Sequence, residues 1–221
     1  MRVPVTPGEL VMFDCDGVLI DSEMLSCQAE SACLAAFGIV MTPEEILDRY
    51  VGISLLAMLT GLEAYLGRTL PAGLADRIRE ATAASFETEL RPMPGIEAAL
   101  SVLPQPRCVA SSSAPERLRQ SLRLTGLLPH FDPHIFSAAQ VARGKPAPDL
   151  FLFAAHQMQA LPAACVVIED SVPGVQAAVA AGMRVIGFTG GSHCRPGHAE
   201  RLRAAGASAV CDDMRNLGAL M

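Results

Sequence analysis

A chain of 221 residues, 51% of them hydrophobic, can hold one large domain, or a domain with a smaller insertion. Its net charge of −6, with no run of Lys or Arg, leaves no field that would hold a polyanion, so nucleic acid is excluded as a partner. The opening "MRVPVTPGEL" has no apolar stretch of signal-peptide length, no stretch reaches the roughly 20 apolar residues of a membrane span, and seven cysteines lack any C-x-x-C pairing; the expectation is a cytoplasmic protein with reduced thiols.

In chain order, the first predicted element is a buried strand over Glu9 to Phe13 ("ELVMF"), and four later runs resemble it: 107–111, 134–138, 165–170 and 184–188. Helix-length segments at 114–125, 147–159 and 172–181 lie between them, with Pro near the start or Gly after the end. This alternation predicts an α/β fold, a doubly wound parallel sheet with helices on both faces. From Ser22 to Leu90 the rhythm changes to helices alone, at about 22–37, 43–50, 52–66 and 71–90. Thr42 with Glu45 is a capping box with Pro43 at the first helical position. The expected organisation is a core of 1–20 and 91–221, with a helical cap of 21–90 inserted after the first strand.

In a parallel α/β sheet, ligands bind beyond the carboxyl ends of the strands, so the polar residues ending the apolar runs should converge. They are Asp14 and Asp16 after the first strand, Ser111 after the second, Lys145 in "RGKPAPDLF", and Glu169 with Asp170 after "CVVI". Spaced two apart on extended backbone, Asp14 and Asp16 project to one side, and Gly17 lets the chain turn away. Clustered carboxylates repel unless a cation joins them, and hard oxygen ligands suit Mg²⁺. Of the 17 basic residues, sixteen are arginine and one, Lys145, is lysine, which implies a need there for a compact point charge. Together these stations describe phosphoryl transfer through an aspartyl-phosphate.

The runs "FDCDGVLIDSE", "VASSS", "GKPAPDLF" and "VIEDSVPG" resemble, in order and spacing, the four motifs of the haloacid dehalogenase superfamily of hydrolases, and the helical insertion matches that superfamily's cap. The resemblance implies a Rossmann-like core, with Asp14 as nucleophile and Mg²⁺ ligand. Asp16 would lend the metal its backbone carbonyl and act as general acid/base. Ser111 would bind phosphate, Lys145 would balance charge between Asp14 and phosphate, and Asp170 would ligate the metal with Glu169 at or near it. Ser112 is a further candidate for substrate contact. "RYVGISLL" resembles the cap loop facing the active site, which makes Arg49, Gly52, Ile53 and Ser54 candidate substrate contacts. As general acid Asp16 must start protonated, which predicts a raised pKa.

The resemblance implies a phosphomonoesterase acting on a small phosphorylated metabolite, a sugar or sugar-acid phosphate. The neighbouring alternative is a sugar-phosphate mutase, but its extra grips on a second phosphate fall at Ser26, Leu55 and Ala114. A signalling receiver module, from another class, also forms an aspartyl-phosphate, but is about half this length and needs no cap. A calcium loop would place Gly at position 19 and Glu at 25, where Leu19 and Leu25 stand. "SHCRPGH" (192–198) is read as a polar loop rather than a zinc site, and His130 and His134 as turn and strand residues. The expected assembly is a monomer, with a homodimer as the alternative.

Overall fold

The computed structural model describes residues 9–221. The opening segment, and with it the first eight residues of the expected core domain, lies outside the described residues. Six parallel strands form one sheet in the order β3-β2-β1-β4-β5-β6. They are β1 (Leu10–Phe13), β2 (Arg107–Ser111), β3 (Ile135–Ser137), β4 (Cys165–Glu169), β5 (Arg184–Phe188) and β6 (Ala209–Cys211).

Both faces of this sheet are covered, and the strand residues divide between them by alternation. Val11 and Phe13, Val109, and Val166 with Ile168 enter one apolar cluster. Leu10 and Met12, Cys108 and Ala110, and Cys165 with Val167 enter the other. Period-two alternation on a sheet buried on both sides gives the continuous apolar runs seen in the sequence. Removing each such large side chain from water stabilises the fold by about 1.5–3 kcal/mol. The core helices that cover the sheet are α5 (Ile96–Val102), α6 (Pro115–Leu124), α7 (Asp149–Gln157), α8 (Val172–Ala180) and α9 (His198–Ala205), numbered after the four of the insertion.

The insertion carries α1 (Glu23–Ala36), α2 (Pro43–Tyr50), α3 (Leu55–Leu66) and α4 (Leu74–Glu89), packed on a third apolar cluster that includes Leu34, Ile46, Leu62 and Ile78. Its two connectors run side by side: Ile20 bridges Pro92 in antiparallel fashion, and the Asp21 N–H donates to the Arg91 carbonyl at 3.1 Å. The capping box forms as expected. Thr42 Oγ1 accepts from the Glu45 N–H at 3.2 Å, and Glu45 Oε2 accepts from the Thr42 N–H at 2.8 Å.

Several expectations are corrected. α3 starts at Leu55 and not at 52, because Gly52 takes a left-handed φ of +82° and Ser54 becomes the N-cap. Likewise, α4 begins at Leu74, after a left-handed Gly73. The strand β6 and the helices α5 and α9 were not foreseen. In β6 only Cys211 is buried, so its apolar run is too short to stand out.

Candidate active site

The register of the sheet brings the predicted stations to one rim. Phe13 is level with Val109 on β2 and with Ile168 on β4, so Asp14 and Glu169 leave the sheet at the same height with Ser111 beside them. The Asp14 N–H closes this end of the sheet by donating to the Ile168 carbonyl at 3.0 Å. Lys145 reaches in from the loop before α7. Its Nζ, fully buried, lies 2.9 Å from Asp14 Oδ1 and 2.6 Å from Glu169 Oε1. Such a buried triad is held by pairing, and leaving one charge without its partner costs about 3–5 kcal/mol.

Glu169 is engaged on both sides, since its Oε2 accepts from the N–H and Oγ of Ser171 at 2.8 and 2.9 Å. Asp170 is less engaged: its buried Oδ1 has no partner, and its Oδ2 faces the His193 Nε2 at 2.9 Å. A Cβ on Gly17, whose φ is +76°, would run into Asp170 Oδ2, so the glycine opens this corner. Asp14, Glu169 and Asp170 offer oxygens within 4.8 Å of one another. Burial, opposed by Lys145, leaves the pKa of Asp14 well above its usual value; burial and the neighbouring Glu169 do the same to Asp170. Clustered hard donors that resist ionising together, one of them with a buried oxygen left without a partner, fit Mg²⁺.

Asp16 overturns the expectation of a raised pKa. Burial would raise it, but the Arg117 guanidinium and hydrogen bonds from Ser113 and Ser22 outweigh that and hold it below its ordinary value. Ser22 Oγ donates to its Oδ1 at 2.7 Å and Ser113 Oγ to its Oδ2 at 2.6 Å, while Arg117 Nη2 sits 2.8 Å from Oδ1. Both carboxylate oxygens of Asp16 are thus occupied by donors of this chain.

Ser111 is buried at the end of β2, its Oγ accepting from the Ser113 N–H at 3.2 Å. Ser112 Oγ donates to the Gly52 carbonyl at 3.0 Å, joining the loop after β2 to the inserted helices. Gly52 therefore sits where the cap loop was expected. The other cap candidates are engaged elsewhere: Ile53 packs against the cap's own apolar cluster, Ser54 caps α3 through the Ala57 N–H, and the Arg49 guanidinium stacks 4.4 Å above Tyr65.

The segment read as a polar loop also departs from expectation, because His193 and His198 are buried. His193 Nε2 lies 2.9 Å from Asp170 Oδ2, and His198 Nε2 meets the Asp170 carbonyl at 2.6 Å. His130 ends a 3-10 helix at Leu128–His130 and His134 lies just before β3, so neither is in the expected turn or strand.

The residues missed by the sequence reading are Arg117, Ser113, Ser22, His193 and Glu23. Arg117 lies 101 positions from Asp16, and nothing local marks it. Glu23 belongs to the first motif; burial, then Asp16 and Asp170, raise its carboxyl well above its usual value.

The model of the haloacid dehalogenase-like hydrolases matches residues 9–182. The 6-phosphogluconate phosphatase of Escherichia coli is 34% identical over 189 residues, covering 85% of this chain and 86% of that one. Hexitol phosphatase A of the same organism is 33% identical, covering 79% and 80%. The crystal structure of a haloacid dehalogenase-like protein of unknown function from Agrobacterium tumefaciens superposes with a TM-score of 0.83 at 43% identity, covering 96% and 97%.

Proposed function

The chain belongs to the haloacid dehalogenase-like hydrolases, and we propose that it is a Mg²⁺-dependent phosphomonoesterase that hydrolyses a small sugar or sugar-acid phosphate through an aspartyl-phosphate on Asp14. The observation that carries this reading is the buried Asp14 carboxylate held 2.9 Å from the lone lysine's ammonium at the rim of the sheet. The names of the two phosphatase relatives support the substrate class.

Asp14 and Asp170, with the Asp16 carbonyl, would hold the metal, with Glu169 behind them as the anchor of Lys145. Bound there, Mg²⁺ supplies the positive charge that lets a phosphate approach these carboxylates. An Asp14 oxygen attacks phosphorus, the ester P–O bond breaks, and the departing alkoxide takes a proton from Asp16. Ser111 and Lys145 hold the phosphoryl oxygens in place. Water then attacks phosphorus, Asp16 takes its proton, and Asp14 is released with inorganic phosphate. The lowered pKa of Asp16 favours the ionised form required for the second step. For the first, a proton taken up on Oδ2 displaces the hydrogen bond donated by Ser113, while Arg117 and Ser22 keep theirs to Oδ1.

The places at which a mutase grips a second phosphate hold a buried serine at 26, the apolar Leu55 opening α3, and Ala114 ahead of α6. Arg117 does not replace them, since Asp16 occupies it. Water is thus the acceptor. Phosphate release across a panel of phosphorylated sugars, sugar acids and hexitols tests the proposal. The expected result is turnover that EDTA stops and Mg²⁺ restores, and that Asp14→Asn abolishes. Asp16→Asn should lose about 10²–10⁴-fold on sugar phosphates and less on p-nitrophenyl phosphate, whose leaving group needs no proton. Conversion of glucose 1-phosphate in the presence of its bisphosphate, without phosphate release, would show a mutase instead.

A further inference from the structure

Between the end of α2 in the cap and the start of α8 in the core lies a cavity of about 320 Å³, and none of Asp14, Asp16, Ser111, Lys145, Glu169 or Asp170 lines it. Its apolar wall includes Val51 and Pro173, and its lining holds three arginines, Arg49, Arg195 and Arg201, and two imidazoles, His193 and His198, against one carboxylate, Asp48. That is an unusual density of positive charge for a chain of net charge −6. Little neutralises it. Arg195 and Asp48 are 3.8 Å apart with both side chains largely in solvent. Among the described residues Arg49 is ion-paired with none and instead stacks on Tyr65, while Arg201 Nη2 donates to His198 Nδ1 at 3.0 Å. Since His198 Nε2 in turn meets the Asp170 carbonyl at 2.6 Å, the imidazole accepts on one nitrogen and donates from the other. It is therefore neutral and leaves the Arg201 charge uncompensated. The same bonding removes His198 as a ligand for a cation at the His193, Cys194 and His198 cluster, and the arginines would repel one.

From this we infer that the seam between cap and core is a binding site for a small oxyanion with at least two negative charges, separate from the catalytic centre. An oxyanion gripped by Arg49 from the cap and by Arg195 and Arg201 from the core fastens the two together three residues before Gly52. That is where the cap loop bonds Ser112 and lies against Ser171. Occupancy thus favours the closed cap, and the ligand acts as an effector, since the catalytic stations do not open onto this cavity. Guanidinium groups suit this role because they pair with oxyanions in a planar, two-point fashion.

Sulfate is the probe, titrated by calorimetry into the whole protein in EDTA, so that no metal ion at the clustered carboxylates of the catalytic centre attracts it. One sulfate should bind per chain. The double variant Arg195→Gln, Arg201→Gln should weaken binding by about tenfold or more. Arg195→Lys, which keeps the charge, should retain most of the affinity, and Asp14→Asn should leave it unchanged. Hydrogen exchange at residues 49–54 should slow when sulfate is added. No millimolar binding, equal affinity in the double variant, lost affinity in Asp14→Asn, or binding without slower exchange at 49–54 would each overturn the inference. None of these readouts depends on phosphatase turnover, so the site can fail while the proposed activity stands, and the reverse.

Discussion

Lys145 shows how far a single residue can be read. Its solitary status among sixteen arginines pointed to a place where a compact ammonium is required, and the structure puts that ammonium in a fully buried slot between Asp14 and Glu169. A planar guanidinium is wider than this slot, so Lys145→Arg should lose activity by at least about 10²-fold despite keeping the charge. A rate near wild type in a phosphate-release assay would refute the fit. Arg117, in the first turn of α6, was not legible, because its meaning lies in a partner 101 positions away. Glu30, half-buried on α1, carries a consequence for pH. Burial, partly offset by Arg117, raises its carboxyl to about 7. In the unfolded chain glutamate titrates near about 4.3, so the folded state holds this proton more tightly. Its contribution to stability is complete below that value and is lost as pH rises through about 7. Glu30→Gln should therefore lose less thermal stability than wild type between pH 5 and pH 8, roughly the window set by these two values. Melting curves that fall in parallel would remove this account.

Among the elements, those with strong local signals were read correctly and those defined by contact were not. The capping box of α2 needs only Thr42, Pro43 and Glu45, and it forms as the spacing required. The late start of α3 follows from Gly52, whose positive φ serves a close approach: a Cβ there would run into the Ser171 side chain. Gly52→Ala should push the cap loop off Ser171 and Ser112, reducing kcat/KM by about 10–100-fold. Gly67→Ala is the control. Its φ of +63° imposes similar backbone strain, but nothing lies within 4 Å of the added Cβ, so activity should be retained. Equal losses in the two variants would assign the effect to strain alone. The strand β6 escaped notice because an edge strand with one buried residue leaves almost no apolar signal, and its place comes from pairing with β5.

At the scale of the whole molecule, two apolar clusters serve the sheet and a third serves the insertion, which is joined to the core through the paired connectors at Ile20 and Pro92 and through Phe86 of α4 and Leu90, which enter the first sheet cluster. We propose that the cap opens on this stem as a unit. Native-state hydrogen exchange should then find amides of α1 and α2 released together at a lower free energy than those of β1 and β4, which are buried on both faces. A single common opening energy for cap and sheet would contradict it. By itself the sequence determined the parallel sheet, the inserted helices and the rim where Asp14, Ser111, Lys145 and Asp170 meet. Strand ends in a doubly wound fold share one edge, so residues that terminate apolar runs are brought together whatever their separation along the chain. Only the tertiary structure decided the ionised state of Asp16, the inward turn of His193 and His198, and the cluster of guanidinium groups at the seam. These depend on which side chains of the cap and of distant loops come to face one another, and no periodicity along the chain encodes that.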